Sequence, residues 1–259
     1  MSNEAEKMNI KSALKYQLAD GRVSIPVFYL VIFCLMALIP ISASGMGPED
    51  SMSIGGFEIA TIIFLFVVGL NSFRETFRMM VQNGVSRKTM FVSFLLLTLV
   101  LSVGMSCINE VLLWIGKAFT AGKGNITFQS VFEQMYAPRY MGNPDSIQMI
   151  AEGLLFTILA CAATMMLGYF ITIMYYRLNK VGKIAVSVGV PAILIIGLPI
   201  FDAVVTGGII YRALGQLTLF AMGILSGYNP YYAMVSALIA FAVLASLSWM
   251  LARRAVVKD

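Results

Sequence analysis

Six apolar runs punctuate the chain, approximately Val23–Ile41, Phe57–Leu70, Met90–Ile115, Met149–Tyr176, Ile184–Phe201 and Pro230–Leu251. A helix needs about 20 predominantly apolar residues to cross ~30 Å of hydrocarbon. Most of the runs approach or exceed that length. The second reaches it only if Ile54–Gly56 and Asn71–Phe73 join it. The pattern predicts an all-α integral membrane protein with six transmembrane helices over residues 23–251. Residues 1–22 precede this domain and 252–259 form a tail. The first run reads as a span, although Ile41-Ser-Ala-Ser-Gly45 offers small residues for signal cleavage. Its apolar core exceeds that of a signal peptide, and five more runs follow.

Three segments read as something other than a simple crossing. In Glu4–Arg22, Ile10, Leu14 and Leu18 recur every four residues, with Lys7, Lys11 and Lys15 on the flanking stripe. This is the pattern of an interfacial helix whose lysines snorkel to phosphates, with Gly21 as its stop. A disordered basic tail is the alternative. Between runs two and three, Phe73, Phe77, Met80 and Val81 share helical spacing while Arg74, Glu75 and Arg78 occupy other faces. Asn83-Gly84 closes that helix and Ser86 caps the next, with Arg87 and Lys88 at the interface. In Asp202–Asn229, the stretch Ile209–Gly227 is apolar enough for a seventh span. A seventh crossing would strand the tail's basic residues on the wrong side, so the segment reads as a re-entrant hairpin of two short helices. Pro191 and Pro199 are expected to bend or interrupt the fifth span.

Charge sets the orientation. Of the 18 basic residues, 14 lie in the N-terminal segment, the second gap, the fourth gap and the tail. Only Lys117, Lys123, Arg139 and Arg212 lie on the other side, although its loops are longer. The positive-inside rule places both termini in the cytosol of a multi-pass plasma-membrane protein. The net charge of +5 follows from these flanks, so anionic lipid and not nucleic acid is the implied partner. Composition agrees, at 59% hydrophobic and 12% charged, with a mean hydropathy of +0.85. A soluble domain carries about 25% charged residues.

Little catalytic chemistry is available. The chain has no histidine, which removes the commonest general base and zinc ligand. Cys34, Cys107 and Cys161 all lie inside apolar runs without C-x-x-C spacing, and read as buried small hydrophobes. The Gly-Lys pairs at 116–117, 122–123 and 182–183 complete no P-loop, and G-x-S-x-G and H-E-x-x-H are absent. No catalytic residue, metal ligand or bound cofactor is expected. The sequon Asn125-Ile-Thr127 is short enough to arise by chance. Glu58, Glu152 and Asp202 sit at the outer ends of spans 2, 4 and 5. Glu110 lies a turn or more inside span 3, and Arg212 falls in the hairpin. Glu110 and Arg212 are the candidate intramembrane polar residues. A proton relay prefers midplane carboxylates, so hydrogen-bonding roles are expected for the acidic set. Ala160, Thr164 and Gly168 repeat every four along span 4, and Ala233 and Ala237, with Ser236 and Ala240 on the next stripe, mark span 6. They permit close helix packing, within the chain or across a dimer. The eighteen methionines read as gap-fillers.

Phe73-Arg-Glu-Thr-Phe-Arg-Met-Met-Val-Gln-Asn-Gly-Val-Ser-Arg-Lys88 resembles the "N-G-[VI]-S-R-[KR]" turn before span 3 of small bacterial ABC-2-type permeases. The overall plan is similar too, with an N-terminal interfacial helix, six spans and a re-entrant hairpin between spans 5 and 6. The resemblance implies the membrane subunit of an ATP-driven exporter. It implies pairing with an identical or paralogous permease and with two separate P-loop ATPase chains that hold the ATP and Mg. Phe73, Arg74, Glu75, Phe77, Arg78, Met79, Val81, Gln82, Asn83 and Gly84 would form the cytosolic coupling helix and its turn. The cargo would be amphipathic, a peptide or lipid-like molecule. The alternative is a polytopic protein without an ATPase, such as an immunity factor or scaffold. In that case Phe73–Gln82 would lie on the lipid.

Overall fold

The computed structural model describes residues 2–42, 52–120, 126–140 and 146–255. Residues 43–45 of the cleavage-like stretch, Lys123, Asn125 of the sequon and Lys258 lie outside this set, as does the side chain of Lys7. The elements in chain order are α1 (Ser2–Ser42), β1 (Met52–Gly55), α2 (Phe57–Asn71), α3 (Arg74–Gln82), α4 (Arg87–Thr120), β2 (Ile126–Gln129) and α5 (Val131–Tyr136). They continue with α6 (Ile147–Arg177), α7 (Lys180–Thr206), α8 (Ile209–Ala221) and α9 (Pro230–Ala252). Among the described residues, five helices are long and apolar enough to cross a membrane, and six if α2 with α3 counts as one bent span. The chain is an all-α multi-pass membrane protein in architecture, with one small sheet added.

Several expectations are corrected at the element ends. Gly21 does not stop a helix. α1 runs unbroken for 41 residues, about 60 Å at 1.5 Å per residue. A glycine costs only about 1 kcal/mol in a helix, which flanking helical residues absorb. The first part of α1 packs its apolar stripe on the protein's own core. Ala13 is buried, and Leu14 and Leu18 contact the same core, while Lys11 and Lys15 face outward. Ile54–Gly56 does not extend span 2. Met52–Gly55 pairs in parallel with Ile126–Gln129 instead, and Gly56 turns the chain at φ +85°. α2 is therefore only 15 residues, about 22 Å long.

Pro191 and Pro199 do not interrupt span 5. The helix widens into π-type turns at Ala185–Gly189 and Ile193–Gly197, each just before a proline. Each holds the carbonyl four residues back, which the proline leaves without a donor. A third such turn, Asp202–Thr206, leads to Gly207 and Gly208, both at positive φ. After the last turn of α7, the rest of the Asp202–Asn229 segment contains one helix, α8, and a run of turns from residue 222 to 228, not two further helices. The turns place Gly223, Gly227 and Tyr228 at positive φ, so a second helix has no backbone to form on.

The core lies between α1, α2, α4, α6 and α9. α2 and α6 approach closely through Gly69 and Gly168. A β-carbon at Gly69 would fall on the Met165 carbonyl oxygen, and one at Gly168 on that of Phe66. Gly168 of the small-residue stripe of span 4 thus serves packing within the chain. Cys161 is buried as expected, but Cys34 and Cys107 are exposed on the apolar flanks of their helices.

Candidate functional site

The segment Arg74–Gln82 forms a nine-residue helix set at 41° to α2. The break arises locally. The Asn71 Nδ2 donates to the Val67 carbonyl at 3.0 Å and the Ser72 hydroxyl to that of Val68, so side chains occupy the last carbonyls of α2. Gly84, at φ +72°, ends α3, and the Asn83 Nδ2 donates to the Met79 carbonyl at 2.8 Å. The Ser86 hydroxyl accepts the Thr89 amide at 3.1 Å, which caps α4 as predicted.

The two faces of α3 have different fates. Phe73 and Phe77 are wholly buried and stack on each other at 5.0 Å. Both meet Tyr176 edge-on, and Phe73 also meets Tyr169, which in turn stacks on Phe94 at 3.7 Å. Met80 is buried, while Met79 and Val81 are half-buried. Arg74, Glu75, Arg78, Gln82, Asn83 and Gly84 are exposed. The apolar ridge read from the sequence is therefore spent on the protein's own α6 and α4. It neither lies on lipid nor projects toward a partner. The face open to contact is polar, and its guanidinium groups stand one turn apart.

This end of the molecule gathers the basic segments. Ala13 of α1, Phe77 of α3, Tyr176 of α6, Ala252 at the end of α9 and Ala255 after it belong to one cluster. Arg87 Nη1 donates to the Arg253 carbonyl at 2.7 Å. The four segments that carry the charge bias thus share one end.

The opposite end is built around carboxylates. β1 and β2 pair, and Glu58 at the start of α2 is buried and accepts the Val131 amide of α5 at 2.5 Å. Glu133 closes a capping box with Ser130 and pairs with Lys117 at 2.8 Å. Glu110 joins Glu58 and Glu133 around a cavity of only about 10 Å³. Glu152 accepts hydrogen bonds from Tyr140, Gln148 and Tyr231. Burial, and then the bond to Glu152, holds the Tyr140 phenol protonated well above the usual tyrosine range. Asp202 accepts the Ile210 and Tyr211 amides at 2.8 and 3.0 Å and so anchors α8 to α7. Arg212, exposed on α8, is not brought to Glu110; it lies in the field of Asp202. No cluster of three potential metal ligands occurs among the described residues.

Two features escaped the sequence reading. Tyr169 and Tyr176 receive the α3 ridge, and their seven-residue spacing on one helix face was a signal that could have found them. Between the long helices, Asn109 accepts hydroxyls from Tyr29 at 3.2 Å and Thr61 at 3.0 Å, tying α1, α2 and α4 together. Nothing in local spacing marks that triad, because its members come from three helices.

Neither a family model nor a curated protein nor a solved structure matches this chain.

Proposed function

We propose that the chain is the transmembrane subunit of an ATP-driven exporter, with α3 as the element that receives the push of a separate P-loop ATPase. The observation that carries this reading is the division of α3. Its inner ridge is locked by stacked aromatics onto α6, and its outer face offers Arg74, Glu75, Arg78 and Gln82. A surface helix resting on lipid would turn its phenylalanines outward. A helix that transmits force needs them inward, because dense aromatic packing moves as a body. Displacement of α3 would reach α2 through the 71–73 break and α6 through Tyr176. The basic end would face the cytosol, where the ATPase holds ATP and Mg.

α7 supports the second part of the reading, pairing with an identical or paralogous permease. The most apolar stretch of this helix has none of its residues buried against the rest of the chain. The stretches of α1 and α9 are 6% and 11% buried, and those of α4 and α6 50% and 39%. Alternating access would then occur between two copies, and an amphipathic cargo would leave outward.

Affinity purification in mild detergent followed by mass spectrometry tests the proposal. An ABC-type ATPase should copurify with the wild-type chain and be lost with Arg78→Glu, while the variant still inserts. Phe77→Asp is unsuitable, because that side chain is in the core. Purification of the intact chain without any ATPase would overturn the exporter reading and favour an ATPase-independent immunity or scaffold protein.

A further inference from the structure

α1 is longer than its membrane-spanning stretch. The apolar stretch is Gly21–Leu38, yet the helix is continuous from Ser2. At 1.5 Å per residue, Lys15 and Lys11 stand about 9 and 15 Å beyond Gly21 along the helix axis. The headgroup layer is only about 5–8 Å deep on each side of the hydrocarbon. The usual tilt of about 20° takes less than a tenth off that rise. Both lysines therefore clear the headgroups and stand in water. Gln17 of this segment and Thr76 of α3 line the same cleft, which sets α3 at a similar level. Ala13, Leu14 and Leu18 belong to one core cluster with Phe77 and Met80. The inner stripes of both helices are thus consumed by the fold, and their outer faces remain.

Those outer faces are cationic. Lys11 and Lys15 are exposed one turn apart, as are Arg74 and Arg78. Neither lysine has an acid three or four places away, so the pair repels itself with no relief from its own helix. Arg253 and Arg254 are exposed at the same end. Glu75 is the one acid there among the described side chains. We infer that the first part of α1 and α3 together form a docking platform for an acidic surface of a water-soluble protein. Charge complementarity names the partner's chemistry, and depth decides against anionic lipid as the occupant. Glu75 and Gln82 interrupt the basic face, which suits a protein surface of mixed groups better than a phosphate polymer. The inference needs a partner at this end but not that the partner be an ATPase.

The test is fluorescence anisotropy of a labelled 20-residue peptide of glutamate and alanine, with the full chain in phosphatidylcholine nanodiscs at low ionic strength. Wild type should bind the peptide. Lys11→Gln/Lys15→Gln should weaken binding about tenfold, as two exposed ion pairs do together, and Arg74→Gln/Arg78→Gln should do the same. Lys180→Gln/Lys183→Gln removes equal charge at the start of a span and should change binding less than about twofold. All six side chains are exposed, so the variants should fold. No binding by wild type overturns the platform. Equal weakening by the 180/183 pair also overturns it, because the attraction is then diffuse charge. A nitroxide on Lys15→Cys in a cysteine-free chain should be relaxed more by a water-soluble nickel complex than by oxygen. The reverse order would place the lysines on lipid and overturn the inference. So would tighter binding of an oligothymidine of equal length. Peptide binding as expected, with no ATPase copurified, would remove the exporter reading and leave the platform standing.

Discussion

Gly69 and Gly168 show how much a single atom decides. Each gives its partner helix room for a backbone carbonyl, and a β-carbon would collide with that oxygen. Backbone cannot move aside as a flexible side-chain tip can. Gly168→Ala is therefore expected to lower stability by about 1–3 kcal/mol through overpacking, read as a drop in melting temperature in detergent. Gly104, where an added β-carbon would meet no other part of the fold within 4 Å, is the control, and Gly104→Ala should be neutral or slightly stabilising. Glu152 is a second single-residue keystone. Truncation to alanine leaves Tyr140, Tyr231 and Gln148 without their shared acceptor. A loss of about 1–3 kcal/mol is expected in the same assay.

Among elements, α3 and α8 are each held by a device that mutation can separate from the rest. Phe77→Asp places a charge in a wholly buried aromatic stack and should cost more than about 4 kcal/mol, seen as loss of the monodisperse protein in size exclusion. Arg78→Glu alters only an exposed side chain and should leave the melting temperature within a degree or two, since surface changes cost about 0.5 kcal/mol or less. The pair separates packing from partner contact. For α8, the anchor is the Asp202 carboxylate on two backbone amides. Asp202→Ala should speed amide exchange at Ile210 and Tyr211 roughly fivefold, as expected for the loss of a cap worth about 1 kcal/mol. Exchange within α4 should not change.

Across the whole molecule, the sharing of one end by four basic segments makes a topological statement. In a cysteine-free background, Gln82→Cys and Arg254→Cys should react with a membrane-impermeant maleimide from the same side, and Gln134→Cys from the other. Labelling of positions 82 and 254 from opposite sides would contradict the even number of crossings. The positive-inside rule and the contact of Arg87 with the Arg253 carbonyl lead to the same arrangement from separate grounds.

The spans were legible in the sequence because hydrocarbon imposes a strict rule. Every residue facing lipid must be apolar and every backbone group must be bonded within its helix, so length and hydropathy mark the crossings. The Asn83-Gly84 stop and the Ser86 cap were legible for a similarly local reason, since each acts within a few residues. The amphipathic pattern of α3 was visible too, but not where its apolar face would go. Periodicity shows that a ridge exists and leaves its neighbour open, and Tyr169 and Tyr176 lie about ninety residues away along the chain. The continuity of α1 through Gly21, the pairing of β1 with β2 and the Tyr29–Thr61–Asn109 triad share this character. Each depends on contacts between distant segments, whose energy enters only when the chain has closed on itself. Only the tertiary structure could assign the phenylalanines to the core and the arginines to the surface.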